Sequence, residues 1–340
     1  MPRTIRREAA DTLTAVELNR GDALEFKLAS GDVRRLLIGR TAAAIIEEVK
    51  PGGIIYHFTC GVRIDGHPMT LQRYVCSQEC FYEPYVVNGM RIWLDAVSDI
   101  TDMIPMRSME TQRAPRAHVR LAVQDATLGI CPQRLAAWYP NDKNFIDVGD
   151  CYNGDDCWLG AYLGQACHGG LDINHAKGEP LWAPIDFDDH WLFNSLAAGH
   201  NNNRWRGVRK WPNGDVWALQ SHHLVKLLVA EHTKLKRGTQ YATAAGVWVG
   251  SHQHTHYVFK VTPRTGGPEI HLDPWILFRE IFEAKREAAG EIRAAMAPLR
   301  PAKTGEKVTF SAKGSRKGRG AEGLRYYWSF GDGGWATGPR

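Results

Sequence analysis

Two short stretches hold residues that could do chemistry together. The first is CHGGLDIN, residues 167–174, where His168 and Asp172 stand four apart with two glycines and a leucine between them. The second is HQHTHYVF, residues 252–259, with His252, His254 and His256 at every second position. A strand sends alternate side chains to the same face. If the second stretch is a strand, its three imidazoles share one face, and Thr255, Tyr257 and Phe259 share the other, where they can pack. Imidazole and carboxylate are the ligands zinc takes, and a catalytic zinc site keeps three protein ligands and one open position. His168, Asp172 and one strand histidine would make such a set. Gly169 and Gly170 would let the backbone pass closely between the first two. Taken alone, each pattern also fits hydrogen-bonded surface histidines.

These residues need elements to carry them. Of the 14 histidines, most fall between His168 and His271, so imidazole is concentrated in one part of the chain. Residues 117–272 read as β, with turns at Pro212-Asn213-Gly214 and Gly246. The segment 186–215 is polar and reads as a long surface excursion. Before it, residues 1–116 read as a small β-rich domain and a linker. Leu24, Phe26 and Leu28 alternate with polar residues ahead of a Ser-Gly-Asp turn, and Asn88-Gly89 is a favoured two-residue hairpin turn. Residues 101–116 carry Pro105 and Pro115 and no period. The one strong helix signal lies in 273–297. Asp273 can cap it, Pro274 suits its first turn, and Trp275, Phe278, Ile281 and Phe282 form a stripe expected to pack against the preceding domain. Residues 298–340 form a separate C-terminal segment. The fold class is mainly β with one helix.

Bulk properties set bounds. The chain has 340 residues, 44% hydrophobic and 23% charged, which excludes wholesale disorder. A net charge of +5 is too mild for a nucleic-acid signature. No apolar run reaches the roughly 18 residues of a membrane span. The N-terminal stretch lacks the apolar core of a signal peptide. Seven cysteines without a C-x-x-C pair argue against a zinc ribbon and leave one or two disulfides open.

The two stretches, in this order and about 80 residues apart, resemble the lysostaphin/LytM-type zinc endopeptidases that cut peptidoglycan peptides, whose fold is the duplicated hybrid motif. HGGLDIN and GEPLWAP match that family's His-x-x-x-Asp and Gly-x-Pro-hydrophobic-x-Ala blocks. HTHYVF matches its terminal His-x-His, and SHHL matches its His-Leu pair. The match spans roughly residues 160–262. The resemblance implies Zn2+ held by His168, Asp172 and His256, with His254 and His223 as catalytic histidines. His222 competes with His223, because the double His leaves the register open by one. It also implies an antiparallel metallopeptidase sheet and a peptidoglycan or other peptide substrate. The alternative is a non-catalytic wall-binding protein that keeps the fold. Departures are APIDFDDHW, where the family commonly has a glycine, and the length of 186–215. The C-terminal YYWSFGDGG, with Val308 and Phe310 before it, resembles the start of a PKD-type β-sandwich module. That implies a secreted, periplasmic or cell-surface location.

Overall fold

In the computed structural model, the described residues are 2–49, 53–75, 83–103, 114–140, 161–162, 166–167, 169–194, 203–245, 254–290, 293–297, 302–319, 323–324, 326–329 and 335–337. The N-terminal part contains β1 (Thr4–Glu8), β2 (Thr14–Leu18), β3 (Ala23–Lys27), β4 (Val33–Val49), β5 (Gly53–Ile64), β6 (His67–Val75), β7 (Tyr85–Val87) and β8 (Met90–Val97). A 3-10 turn over Ser98–Met103 and β9 (Val119–Asp125) complete it. One sheet has the order β1-β3-β4-β5-β6, and a second has the order β2-β9-β8-β7. Both expected hairpins form. β3 pairs antiparallel with β4, and β7 with β8. Asn88 and Gly89 between the latter take φ of 50° and 82°, as a type I′ turn requires.

Next come β10 (Ala161–Tyr162) and β11 (Ala166–Cys167), paired with each other. Then follow β12 (Leu171–Asn174), β13 (Pro180–Trp182), β14 (Asp189–Asn194), β15 (Asn203–Lys210) and β16 (Val216–Leu227). β17 (Gln240–Ala244), β18 (His254–Thr262) and β19 (Ile270–Leu272) complete a sheet of order β12-β18-β16-β15-β14, with β13, β17 and β19 on its borders. All its pairings are antiparallel. The helix α1 (Trp275–Ala289) follows, and β20 (Tyr327–Ser329) and β21 (Trp335–Thr337) form a small late hairpin. Val308 and Phe310 lie outside any strand.

The expected surface excursion over 186–215 is corrected. β14 and β15 are integral strands of the large sheet, and Trp205 is fully buried. The polar composition misled because Arg204 and Arg206 alternate with the buried Trp205 and Gly207, so one face carries the charges and the other is core. Asn201, Asn202 and the Gly246 turn lie outside the described residues.

One face of the large sheet is the core. Trp217, Tyr257 and Phe259 point there, with Trp138 and Tyr241. The helix lays its stripe on this face as expected. Phe278 sits 5.0 Å from the Tyr257 ring and 5.5 Å from Trp138, measured between ring centres. Asp273 Oδ1 accepts a hydrogen bond from the Trp275 N–H at 2.8 Å, capping the helix. The same core takes in Leu13, Ala15, Trp93 and Ala122 from the N-terminal part. A buried ionic cluster joins them further. Arg73 pairs with Asp273, Arg120 with Asp95 at 2.7 Å, and the Asp273 N–H donates to Asp95 at 2.8 Å. This junction covers the core face, and the opposite face of the large sheet carries the polar site.

Candidate metal and catalytic site

The site is built on the centre of the large sheet. β12 lies beside β18 with Asp172 opposite His256, and β16 lies on the other side of β18 with His222 opposite His256. Directly opposed residues share a face, with Cβ atoms about 4.5–5.5 Å apart. Thus Asp172, His256 and His222 form one row across three strands. His254 is two residues along β18, so it shares that face. The imidazole alternation read from HTHYVF is therefore present, with Tyr257 and Phe259 in the core behind it.

Side-chain geometry draws the row together. Asp172 Oδ1 lies 2.8 Å from His256 Nδ1, and Asp172 Oδ2 lies 3.4 Å from His254 Nε2. The His222 and His256 rings stack at 4.7 Å. All four side chains are buried. Gly170 passes so close to the row that a Cβ there would overlap His256 Nε2 and the Tyr257 carbonyl. This is the physical reason for a glycine in HGGLD.

The strand β16 settles where the double histidine points. Its ladder with β18 ends at the pair His222–His256. Its ladder with β17 begins at Leu224–Ala244. On the β15 side, Asn203 faces Leu224 while Arg204 faces His222, so His223 is an extra residue, a β-bulge. His223 takes φ of 64°, in the left-handed region, and its carbonyl accepts the Ala245 N–H at 2.9 Å. Strict alternation would send His223 to the face opposite His222. The bulge re-aims it, so its ring stands 4.7 Å from His254 and 6.4 Å from His256. Both His222 and His223 therefore reach the cluster, each against a different partner.

Electrostatics distinguish the members. Burial pushes the His223 imidazole down to about 3, and the neighbouring His254 and His256 add to the effect. At neutral pH it is the uncharged base. His175 was not singled out in the sequence. It is buried, and it is pushed down to about 3 by burial and then by His254. Its Nε2 lies 3.3 Å from the Tyr257 hydroxyl, and its Nδ1 lies 3.4 Å from Glu179. It forms a polar link between the site and the aromatic core. Arg204, which faces His222 across the ladder, was also not anticipated. Neither lies in a motif. Only the register and the packing reveal them.

His168, the first residue of the expected ligand set, and His252 lie outside the described residues. Among the described residues no group of three His, Cys, Asp or Glu side chains forms a ready metal cage. The donors present still fit the ion. With bonds of 2.0–2.2 Å, two tetrahedral zinc ligands stand about 3.3 Å apart. Of the expected ligands, Asp172 Oδ1 and His256 Nδ1 stand 2.8 Å apart, about half an ångström inside that spacing, and the His254 nitrogen lies 3.4 Å from the other Asp172 oxygen. Cys60 and Cys131 are buried free thiols, each pushed up to about 12 by burial, and neither belongs to the site.

No protein-family model matches the chain, and no curated protein does. Solved structures similar to it are lysostaphin-type and M23 peptidases. The catalytic domain of lysostaphin from Staphylococcus simulans aligns over 34% of this chain and 80% of its own, at 16% identity and a TM-score of 0.26. A catalytic-domain mutant of the prophage-encoded M23 protein EnpA from Enterococcus faecalis aligns over 32% and 76%, at 17% identity and a TM-score of 0.25. A zinc-containing peptidase from Vibrio cholerae aligns over 70% and 84%, at 15% identity and a TM-score of 0.29. At these identities and TM-scores the likeness assigns no residue and no role.

Proposed function

We propose that the chain is a zinc-dependent endopeptidase acting on peptide bonds of peptidoglycan cross-links or stem peptides. The observation that carries this reading is the convergence of Asp172, His254 and His256 on one face of the sheet, with the bulged His223 turned toward them. His168, Asp172 and His256 would hold the ion. Zinc bound there supplies a water of pKa near 7 and polarises a carbonyl.

The chain's own residues do the rest. Asp172 Oδ1 and His256 Nδ1 face each other at 2.8 Å in the row described above, so both can turn to one ion. His254 turns Nε2 into the same cluster, where it can take up a proton as general base. His223 is neutral at working pH, so its N–H can donate to the oxygen that becomes negative in the transition state. Tyr257 and Phe259, packed in the core behind the strand, anchor the backbone that carries His254 and His256. The C-terminal segment that resembles a PKD-type module supports a secreted or surface location.

The test is metal analysis of the purified protein, followed by digestion of several peptidoglycans with mass spectrometry of the fragments. We expect one zinc per chain and new amino termini within the peptide part. Well under one equivalent of zinc, with no rise in thermal stability on adding zinc, would sink the metal site, since a ligand of the folded state must stabilise it. A zinc-loaded protein that releases no fragments would point instead to a wall-binding role.

A further inference from the structure

The row of polar side chains does not end at His222. The next strand, β15, places Arg204 directly opposite it. Asp172, His256, His222 and Arg204 thus follow one another across four neighbouring strands on one face. The row runs from a carboxylate to a guanidinium, with imidazoles between.

Arg204 differs from the other arginines of its strand. Arg206, two residues along on the same face, pairs with Glu269 at 2.6 Å, and Arg209 pairs with Asp188 at 3.0 Å. Arg204 is half-buried and has no carboxylate partner among the described residues. Its Nε is buried without an acceptor, as are those of Arg206 and Arg209, so the missing carboxylate is what sets it apart. Beside it, Phe193 is 41% exposed and stands edge-on to His222, with ring centres 5.6 Å apart. A guanidinium offers a planar fork of donors that matches a carboxylate in two parallel hydrogen bonds. A partly desolvated cation without a counter-ion is a site waiting for an anion.

Resting on the endopeptidase reading, we infer that Arg204 is a specificity residue that binds a carboxylate of the peptide substrate, with Phe193 as an apolar floor beside it. The spacing limits where that carboxylate lies. Arg204 is two strands from His256, about 10 Å at a strand spacing of about 4.8 Å. An extended peptide advances about 3.3 Å per residue, so the carboxylate lies within about three residues of the scissile bond.

The probe is a cross-linked stem-peptide dimer of peptidoglycan prepared twice, with free and with amidated carboxylates. Binding and turnover are measured on the zinc-loaded wild type, Arg204→Gln and Arg204→Lys, with thermal melting as the check on folding. In the wild type we expect the free-carboxylate form to bind about 10- to 100-fold more tightly, the range of a charge-assisted hydrogen bond, with the difference in KM rather than kcat. In Arg204→Gln the ratio between the two forms should fall toward one, and Arg204→Lys should restore part of it. Equal binding of both forms by the wild type overturns the proposal. So does a ratio that survives in Arg204→Gln, or a loss confined to kcat on both forms, which would place Arg204 at the transition state. If the wild type cuts neither form, the endopeptidase reading fails, and the binding ratio alone still decides whether Arg204 holds a carboxylate.

Discussion

At the residue scale, the imidazole platform was legible because period two in a strand is a strong signal. His254 and His256 share a face as the period predicts, His252 lies outside the described residues, and the pairing of β12 with β18 brings Asp172 to that face. That both His222 and His223 reach the cluster was not legible. It depends on a bulge where β16 changes partner from β18 to β17, a long-range event with no local mark in SHHL. The double glycine was legible as close approach, and the structure adds what is approached. A Cβ at Gly170 would meet the His256 ring and the Tyr257 backbone, and the backbone cannot yield cheaply. Gly170→Ala should therefore displace His256 and lower zinc occupancy at fixed free zinc, while leaving the fold cooperative. Titration with a zinc chelator read against bound metal checks it. Unchanged zinc affinity would mean that His256 does not depend on that approach.

At the element scale, the bulge in β16 is the device that brings a fourth histidine to the cluster. A left-handed φ is tolerated by Asn and costs a β-branched residue about 1–2 kcal/mol or more. His223→Asn should keep stability and zinc and lose turnover, by about 10²–10⁴-fold for a group that acts in the transition state. His223→Val should lose the same turnover and in addition melt lower. Equal melting points for the two would show that the strain is relieved elsewhere. The hairpin β14–β15 teaches a different lesson. Its alternation of Trp205 with Arg204 and Arg206 was present in the sequence, yet its overall polarity read as loop. A sheet with one solvated face is polar by composition and still a sheet. The helix, in contrast, was legible from cap to stripe, because Asp273 and the apolar spacing are local signals.

At the scale of the whole molecule, the N-terminal sheets and the large sheet share one core and one buried ionic cluster. The strand β9 lies after residue 116 in sequence and pairs with β2 and β8, a connection no local pattern announces. Asp273 sits at that junction. Burial pushes its carboxyl up to about 6, opposed by Arg73 and reinforced by Asp95. Below about pH 4 both folded and unfolded chains hold this proton. Between about 4 and 6 the folded chain still holds it and the unfolded chain has released it, so raising pH through this window favours unfolding. Asp273→Asn keeps an oxygen for the helix cap and removes this titration. The difference in unfolding free energy between wild type and Asp273→Asn should therefore change between pH 4 and 6, in the sense that the wild type loses ground as pH rises. A difference that stays flat over this range would contradict the assignment.

The most direct measurement takes zinc content and turnover of a peptidoglycan peptide on the same preparations of wild type, His256→Ala, His254→Ala and His223→Ala. We expect His256→Ala to lose zinc and activity together. His254→Ala and His223→Ala should keep zinc and lose rate by about 10²–10⁴-fold. Zinc retained in His256→Ala and lost in His254→Ala would place the ligand one pair away on the strand, and full activity in both His254→Ala and His223→Ala would contradict the proposed chemistry even with the metal in place.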